Sequence, residues 1–195
     1  MVKSSYVKKE RQKLLKREVA RNPFLTDEDL SEMYKVSVPT IRLDRLELKI
    51  PEYRERIRDV AKKLHGKVKS IKSSEFVGEL LDITLGKNAM SVLETDESMA
   101  FENTQIVQGK YIYSLAESLA ISVIDSSVAL VGVANIKYKT PVYSGSKLFA
   151  KAEVKRNKGN SFIIWVHILR NKEEVFRGKF ILVSLEIKNE IKNKE

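Results

Sequence analysis

The run from Tyr111 to Ile124 restricts the possible folds of this chain more than any other segment. At helical spacing it is apolar nearly all round: Leu115, Ala116, Leu119, Ala120, Ile121, Val123 and Ile124 leave polar relief only at Ser114, Ser118, Ser122 and the lone acid Glu117. A helix without a wet face must be enclosed by other elements. The wider apolar stretch from Leu115 to Ala134 is broken by Glu117 and Asp125, so it does not read as a membrane span. The enclosure must therefore come from the chain itself.

Suitable walls lie on both sides of it. Upstream, Glu79 to Leu85 and Met90 to Glu94 are short β-leaning runs separated by Gly86-Lys87-Asn88. Downstream come four strand-like runs, Val128 to Tyr138, Lys147 to Arg156, Ser161 to Leu169 and Val175 to Ile187. In the second of these, Leu148, Ala150, Ala152 and Val154 alternate with mostly charged residues, the period of a half-buried strand. Ser144-Gly145, Lys158-Gly159-Asn160 and Asn171-Lys172 are turn signals, and consecutive hairpins are the simplest connection. The segment from residue 67 to 195 is thus expected to be α+β, an antiparallel sheet wrapped around one buried helix. That is the hot-dog architecture, although another α+β sandwich would show the same pattern.

The first third is organised differently. Residues 1–65 carry 17 Lys/Arg against 11 Asp/Glu, a net of +6, while the remaining 130 residues have 19 against 15, a net of +4. Threefold higher charge density at one end points to a polyanion. Few bulky apolar residues are available there to enter a membrane, so nucleic acid is favoured. A helix is expected from Val7 to Arg21, ended by Asn22-Pro23. Thr26 opens a second with Asp27, Glu28 and Asp29 in its first turn, and Leu30 and Met33 on its buried side. After Lys35-Val36, Ser37 caps a third, with Val38, Ile41 and Leu48 on one face. Two short helices joined by a tight turn have the dimensions of a DNA-binding helix-turn-helix. The expected reading surface is Ser37, Thr40, Arg42 and Arg45, with Arg42 placed to fork onto a guanine and Ser37 and Thr40 to touch phosphates. A helical bundle that docks on protein is the bland alternative.

From Pro51 to Gly66 a fourth helix presents the narrow stripe Ile57, Val60, Ala61 and Leu64, with Arg54, Arg58 and Lys62 turned away. It reads as an amphipathic linker between residues 1–50 and 67–195. No cysteine is present, and His65 and His167 stand about a hundred residues apart. Thiolate chemistry, disulfides and a structural metal site are therefore not expected, and neither is a cofactor. The N-terminus MVKSSYVKKERQ lacks an apolar segment of signal-peptide type, so a cytoplasmic location is expected.

Glu117 is out of place on the enclosed helix. Burying an unpaired carboxylate costs several kcal/mol, so the position is expected to border a pocket or an interface. Upstream, Gln108-Gly109-Lys110 sets a glycine at the helix start, where backbone N–H groups can hold a carbonyl or anionic oxygen. An amide that polarises a thioester carbonyl and a carboxylate two turns on would suit an acyl thioester. A glutamate bonded across a dimer interface is the structural alternative.

The segment PFLTDEDLSEMYKVSVPTIRLDRLELKIPEYRERI closely resembles the helix-turn-helix and linker of the FapR repressors of fatty-acid and phospholipid synthesis in Gram-positive bacteria. NTQIVQGKYIYSLAESLAISVID resembles the central helix of their hot-dog domain. The resemblance implies an N-terminal, winged-helix-like DNA-binding domain and a homodimer. It implies repression of lipid-synthesis genes at a double-stranded operator with inverted-repeat symmetry. Release would follow binding of malonyl-CoA or malonyl-acyl carrier protein. It also implies that linker residues such as Arg54 and Arg58 help to grip DNA, and that Phe101, Gly109 and Leu130 line the effector site.

Two positions depart from the family pattern. Gln108 stands where the family has an arginine and Glu117 where it has an asparagine, a shift of two negative charges that Lys110 or Lys137 would have to offset. The same departures bring the helix nearer to hot-dog thioesterases of the phenylacetate type, whose catalytic acid lies nine residues after a histidine. Glu117 lies nine residues after Gln108, so the acid is present and the histidine is not. An acyl-CoA thioesterase using Glu117, with an appended DNA-binding domain, is the alternative to a non-enzymatic sensor.

Overall fold

The computed structural model describes residues 8–185, and the start of the first expected helix at Val7 and the end of the last strand at Ile187 lie outside them. The chain divides into two compact units, residues 1–60 and 61–195, with the division inside the linker helix. Each unit is built around its own core.

The first unit consists of α1 (Lys8–Arg21), α2 (Asp27–Tyr34), α3 (Val38–Glu47) and the first part of α4 (Tyr53–His65). Thr26 caps α2 in a complete capping box with Asp29, and Lys35 ends it in a left-handed conformation at φ 54°. Ser37 then caps α3, so the turn between the two helices is residues 35–37. Leu15, Val19, Leu30, Tyr34 and Ile41 form the core of the three helices. Tyr34 therefore fills the place expected for Met33, which is 48% exposed: it follows Leu30 by one full turn, whereas Met33 points off that face. No strand forms a wing among the described residues of this unit.

In the second unit α5 (Gly109–Ser122) lies against a six-stranded antiparallel sheet in the order β1-β2-β4-β5-β6-β3. The strands are β1 (Glu79–Thr84), β2 (Asn88–Glu94), β3 (Val128–Tyr138), β4 (Lys147–Lys158), β5 (Ser161–Arg170) and β6 (Glu173–Leu185). Leu115, Ala116, Leu119, Ala120, Val123 and Ile124 are buried among Leu148, Ala150, Ala152, Ile164, Val166, Ile168, Phe176 and Phe180 of the sheet. Hairpins join β1 to β2, β4 to β5 and β5 to β6. At the β5–β6 turn, Asn171 and Lys172 both take positive φ, as a tight two-residue turn requires. The expected β3–β4 hairpin does not form. β3 instead crosses to pair with β6 at one edge of the sheet, and β4 pairs with β2. Ala61 is buried in this unit, and Leu64, Val68 and Ile71 pack on its core.

Gly78, just before β1, shows how tightly the sheet start meets the helix. It holds φ +82°, and a Cβ there would come within 2.5 Å of the Val92 carbonyl oxygen and 3.1 Å of Leu115. Gly78→Ala should destabilise the second unit by more than ~1 kcal/mol, read as a lower midpoint in chemical denaturation. A midpoint equal to wild type would show that the close approach is not needed.

Candidate DNA interface and effector site

On α3 the side chains separate by direction. Ile41, Asp44 and Arg45 are buried, whereas Pro39, Arg42, Leu43 and Leu46 are exposed. Ser37 and Thr40 sit at the start of the helix with their hydroxyls 2.9 Å apart, and Ser37 also accepts from the Thr40 N–H. Arg42 is a mostly exposed side chain that touches Asp27 only at 3.5 Å. These three residues lie where a helix-turn-helix presents its reading end.

Arg45 does not join them. It is 5% exposed, its Nε and Nη2 donate to the two oxygens of Asp27 at 2.7 and 2.9 Å, and its Nη1 donates to the Ile50 carbonyl. Position 45 follows Ile41 by four residues, which carries it to the inner face, where its fork ties α3 to the start of α2. Arg11 and Asp44 form a second buried pair at 2.6 Å, with Gln12 donating to the same carboxylate.

Along α4, Arg54 and Arg58 are exposed, while Arg56 between them is buried. The Arg56 guanidinium donates to the carbonyls of Pro23, Leu25 and Pro51. Burial, and then the proximity of Arg45, pushes its pKa below the ordinary arginine value. Sequence reasoning missed this role. One more arginine in a basic helix carries no signal that three loop carbonyls will converge on it.

In the second unit the expected effector residues are spread out. An open cavity of about 350 Å³ lies at the start of α5, lined by Ile106, Val107, Gly109, Ile112, Tyr138 and residues 139–142. Tyr138, absent from the sequence expectations, donates from its hydroxyl to the Gly109 carbonyl at 3.0 Å and packs edge-on to Phe176. Burial raises the pKa of its phenol. A Cβ at position 109 would meet the Tyr138 ring at 3.2 Å, so glycine permits this close approach. Thr140 is in the cavity wall, and its hydroxyl is buried without a hydrogen-bond partner. Lys139, also in the wall, is paired with Glu174.

Gln108 is the residue before α5, but its side chain bonds no first-turn N–H; its amide donates to the Ala100 carbonyl at 2.8 Å. Lys110 is exposed and lies over its neighbour Tyr111. Glu117 accepts from Tyr113 on its own helix at 3.1 Å, and burial followed by the Glu117 charge raises the pKa of that tyrosine. Phe101 and Leu130, each 54% exposed, lie outside the cavity: Phe101 borders a separate depression with residues 102–105, and Leu130 is on strand β3. Within one chain, Gly109 alone of the six expected residues lines the cavity.

The two arginines of α3 give opposite expectations. Arg45→Met should destabilise the first unit by more than ~1 kcal/mol, because it removes both hydrogen bonds of the fork and leaves the largely buried Asp27 carboxylate only the looser contact with Arg42. Arg42→Ala should leave stability within ~0.5 kcal/mol. Denaturation of both variants checks this, and equal losses would contradict the assignment of Arg45 as the structural one.

No family model matches the chain. It is 59% identical over 179 residues to the transcription factor FapR of Thermoanaerobacter sp. (strain X514), covering 92% of this chain and 90% of that protein. To FapR of Bacillus cereus (strain AH820) it is 45% identical over 177 residues, with 89% of each covered. Among solved structures, an uncharacterized protein from Pyrococcus horikoshii matches 58% of this chain and 88% of its own at 30% identity, with a TM-score of 0.55. The E. coli PaaI protein from the phenylacetic acid degradation operon matches 55% of this chain and 78% of its own at 17% identity, with a TM-score of 0.51. These neighbours are hot-dog proteins, and PaaI is similar in fold alone. With relatives of 59% and 45% identity aligned over about nine-tenths of its length, the chain belongs to the FapR family of transcription factors.

Proposed function

We propose that the protein is a cytoplasmic, homodimeric repressor of lipid-synthesis genes, released from its operator when the hot-dog unit binds an acyl thioester. The observation that carries this is the match to FapR over nine-tenths of the chain, spanning both the helix-turn-helix and the hot-dog unit. In this reading residues 1–50 bind DNA, 51–66 form the linker and 67–195 take the effector. No cofactor is required, because ligand binding energy alone shifts the equilibrium. That no described helix is long and apolar enough to cross a membrane is compatible with it.

Dimerisation is supported by β3. This strand ends the sheet and exposes Leu130, Val133, Ile136 and Tyr138 along its length, an edge that a second copy could pair with and cover. Such pairing would bring Leu130 of one copy toward the other, where effector residues scattered in a single chain could meet. A two-fold dimer would also select an inverted repeat.

The acyl group follows from charge. Malonyl thioesters come first by family membership, yet Gln108 supplies no cation and Glu117 adds an anion. Two unit charges ~4 Å apart at an effective dielectric near 20 repel by about 4 kcal/mol. Lys110, exposed beside the site, is the nearest cation in sequence able to offset this; Lys137 is the other. Neutral acyl chains therefore belong in the same experiment.

Calorimetry of the full chain with malonyl-CoA, acetyl-CoA and a long-chain acyl-CoA should show saturable binding of at least one, and that one should release DNA. If none binds, the sensor is refuted. Steady thiol release abolished by Glu117→Gln would make the protein a thioesterase instead. Replacing Arg54 and Arg58 by glutamine should weaken DNA binding and lower the salt slope by about one for each phosphate that is no longer neutralised. An unchanged slope would remove the linker from the interface.

A further inference from the structure

The outward face of α3 has the wrong polarity for a face that stays in water. Positions 39, 42, 43 and 46 fall within about one third of the helix circumference at 3.6 residues per turn. They are Pro39, Arg42, Leu43 and Leu46. Leu43 is 61% exposed and Leu46 71%, the two most exposed large apolar side chains among the described residues. The opposite face carries the ion-paired Asp44 and Arg45 and the core residue Ile41. The usual amphipathic arrangement is thus partly inverted: charge is buried and leucine is presented.

Stability of the first unit gives no reason for this. Neither leucine belongs to its core, which α1, α2 and α3 close without them. Two leucines one turn apart, beside a cation, form a small apolar shelf that nothing in the first unit covers. Its position indicates which one. The shelf lies on the second helix of a helix-turn-helix, on the same exposed face as Arg42, and the reading-end hydroxyls of Ser37 and Thr40 stand at the start of that helix. Side chains on a helix lean toward its N-terminus, so Leu43 lies over the turn that holds Pro39 and Thr40. In the major groove the apolar group on a base edge is the C5 methyl of thymine.

We infer that Leu43 and Leu46 are specificity residues that cover thymine methyl groups next to the base read by Arg42. The inference rests on the DNA-binding part of the function proposed above. It adds what that function leaves open, namely that each half-site contains thymine at positions set by these two side chains. Both leucines are exposed and outside the core, so their removal leaves the fold intact and tests recognition.

The test begins with selection of a preferred duplex from a randomised library by the full-length protein. Each thymine in a half-site is then replaced singly by uracil, which removes the methyl and preserves every hydrogen-bonding group. At the contacted positions wild type should lose affinity about four-fold per methyl, the worth of one buried methylene-sized group. Leu43→Ala should bind the parent duplex more weakly and no longer distinguish thymine from uracil at one of these positions. Leu46→Ala should do the same at another. If no uracil substitution changes wild-type affinity, or if the loss persists unchanged in both variants, the inference is overturned while DNA binding stands. If no duplex is selected at all, the DNA-binding function falls and this inference with it. Sedimentation without DNA covers the remaining occupant. A drop in oligomeric mass for the Leu43→Ala/Leu46→Ala double variant would assign the shelf to an interface between copies and overturn the inference; wild-type mass supports it.

Discussion

Enclosure of α5 is the constraint on which the second unit depends. A helix apolar on nearly every side gains roughly 1.5–3 kcal/mol for each large side chain kept from water, and it gains this only if walls exist in all directions. The sheet provides them by crossing over: β3 leaves the end of the helix, runs to the far edge and pairs with β6, so that the strand after it can join β2. The two buried serines of the helix are satisfied where they stand. Ser118 donates to the Leu115 carbonyl and accepts from the Val77 N–H, and Ser122 donates to the Leu119 carbonyl. Carbonyls at the helix end are taken by the Ser70 hydroxyl and the Gly86 N–H. The open cavity lies at the other end, at the helix start.

The first unit follows the opposite logic. Its apolar core is small, and buried ion pairs fix its geometry: Arg45 with Asp27 across α3 and α2, and Arg11 with Asp44 across α1 and α3. Such pairs contribute little net stability against the desolvation of both charges, but once formed they are costly to break singly. They therefore specify the angle at which α3 is presented. Arg56 extends the scheme by gathering loop carbonyls that no N–H reaches. Three arginines of this basic segment, Arg11, Arg45 and Arg56, are thus held inside the unit as structural groups, and most of the remaining basic side chains stay exposed.

What could be read in advance, and what could not, divides along these lines. Cap signals at Thr26 and Ser37 are local hydrogen bonds between neighbours in sequence, and they placed α2 and α3 to within a residue. The alternation of β4 and the turns at Gly159 and Asn171-Lys172 are likewise local, and the strands lie close to where those signals set them. Partners distant in sequence left no such mark. Nothing at Arg45 distinguishes a reader of bases from a partner of Asp27, eighteen residues earlier. Nothing at Tyr138 indicates a bond to Gly109, twenty-nine residues earlier.

The sequence by itself therefore determined the two-part organisation, the helix-turn-helix and the need for a sheet around one dry helix, because periodicity and capping act over a few residues. Tertiary structure alone decided the strand order, which arginines are buried, and which residues line the cavity at the start of α5. Those outcomes depend on which distant groups satisfy one another once water is removed, and a linear sequence does not record that pairing. Leu43 and Leu46 belong to the second group. Their type is plain in the sequence, but only the packing of α3 shows that they face outward.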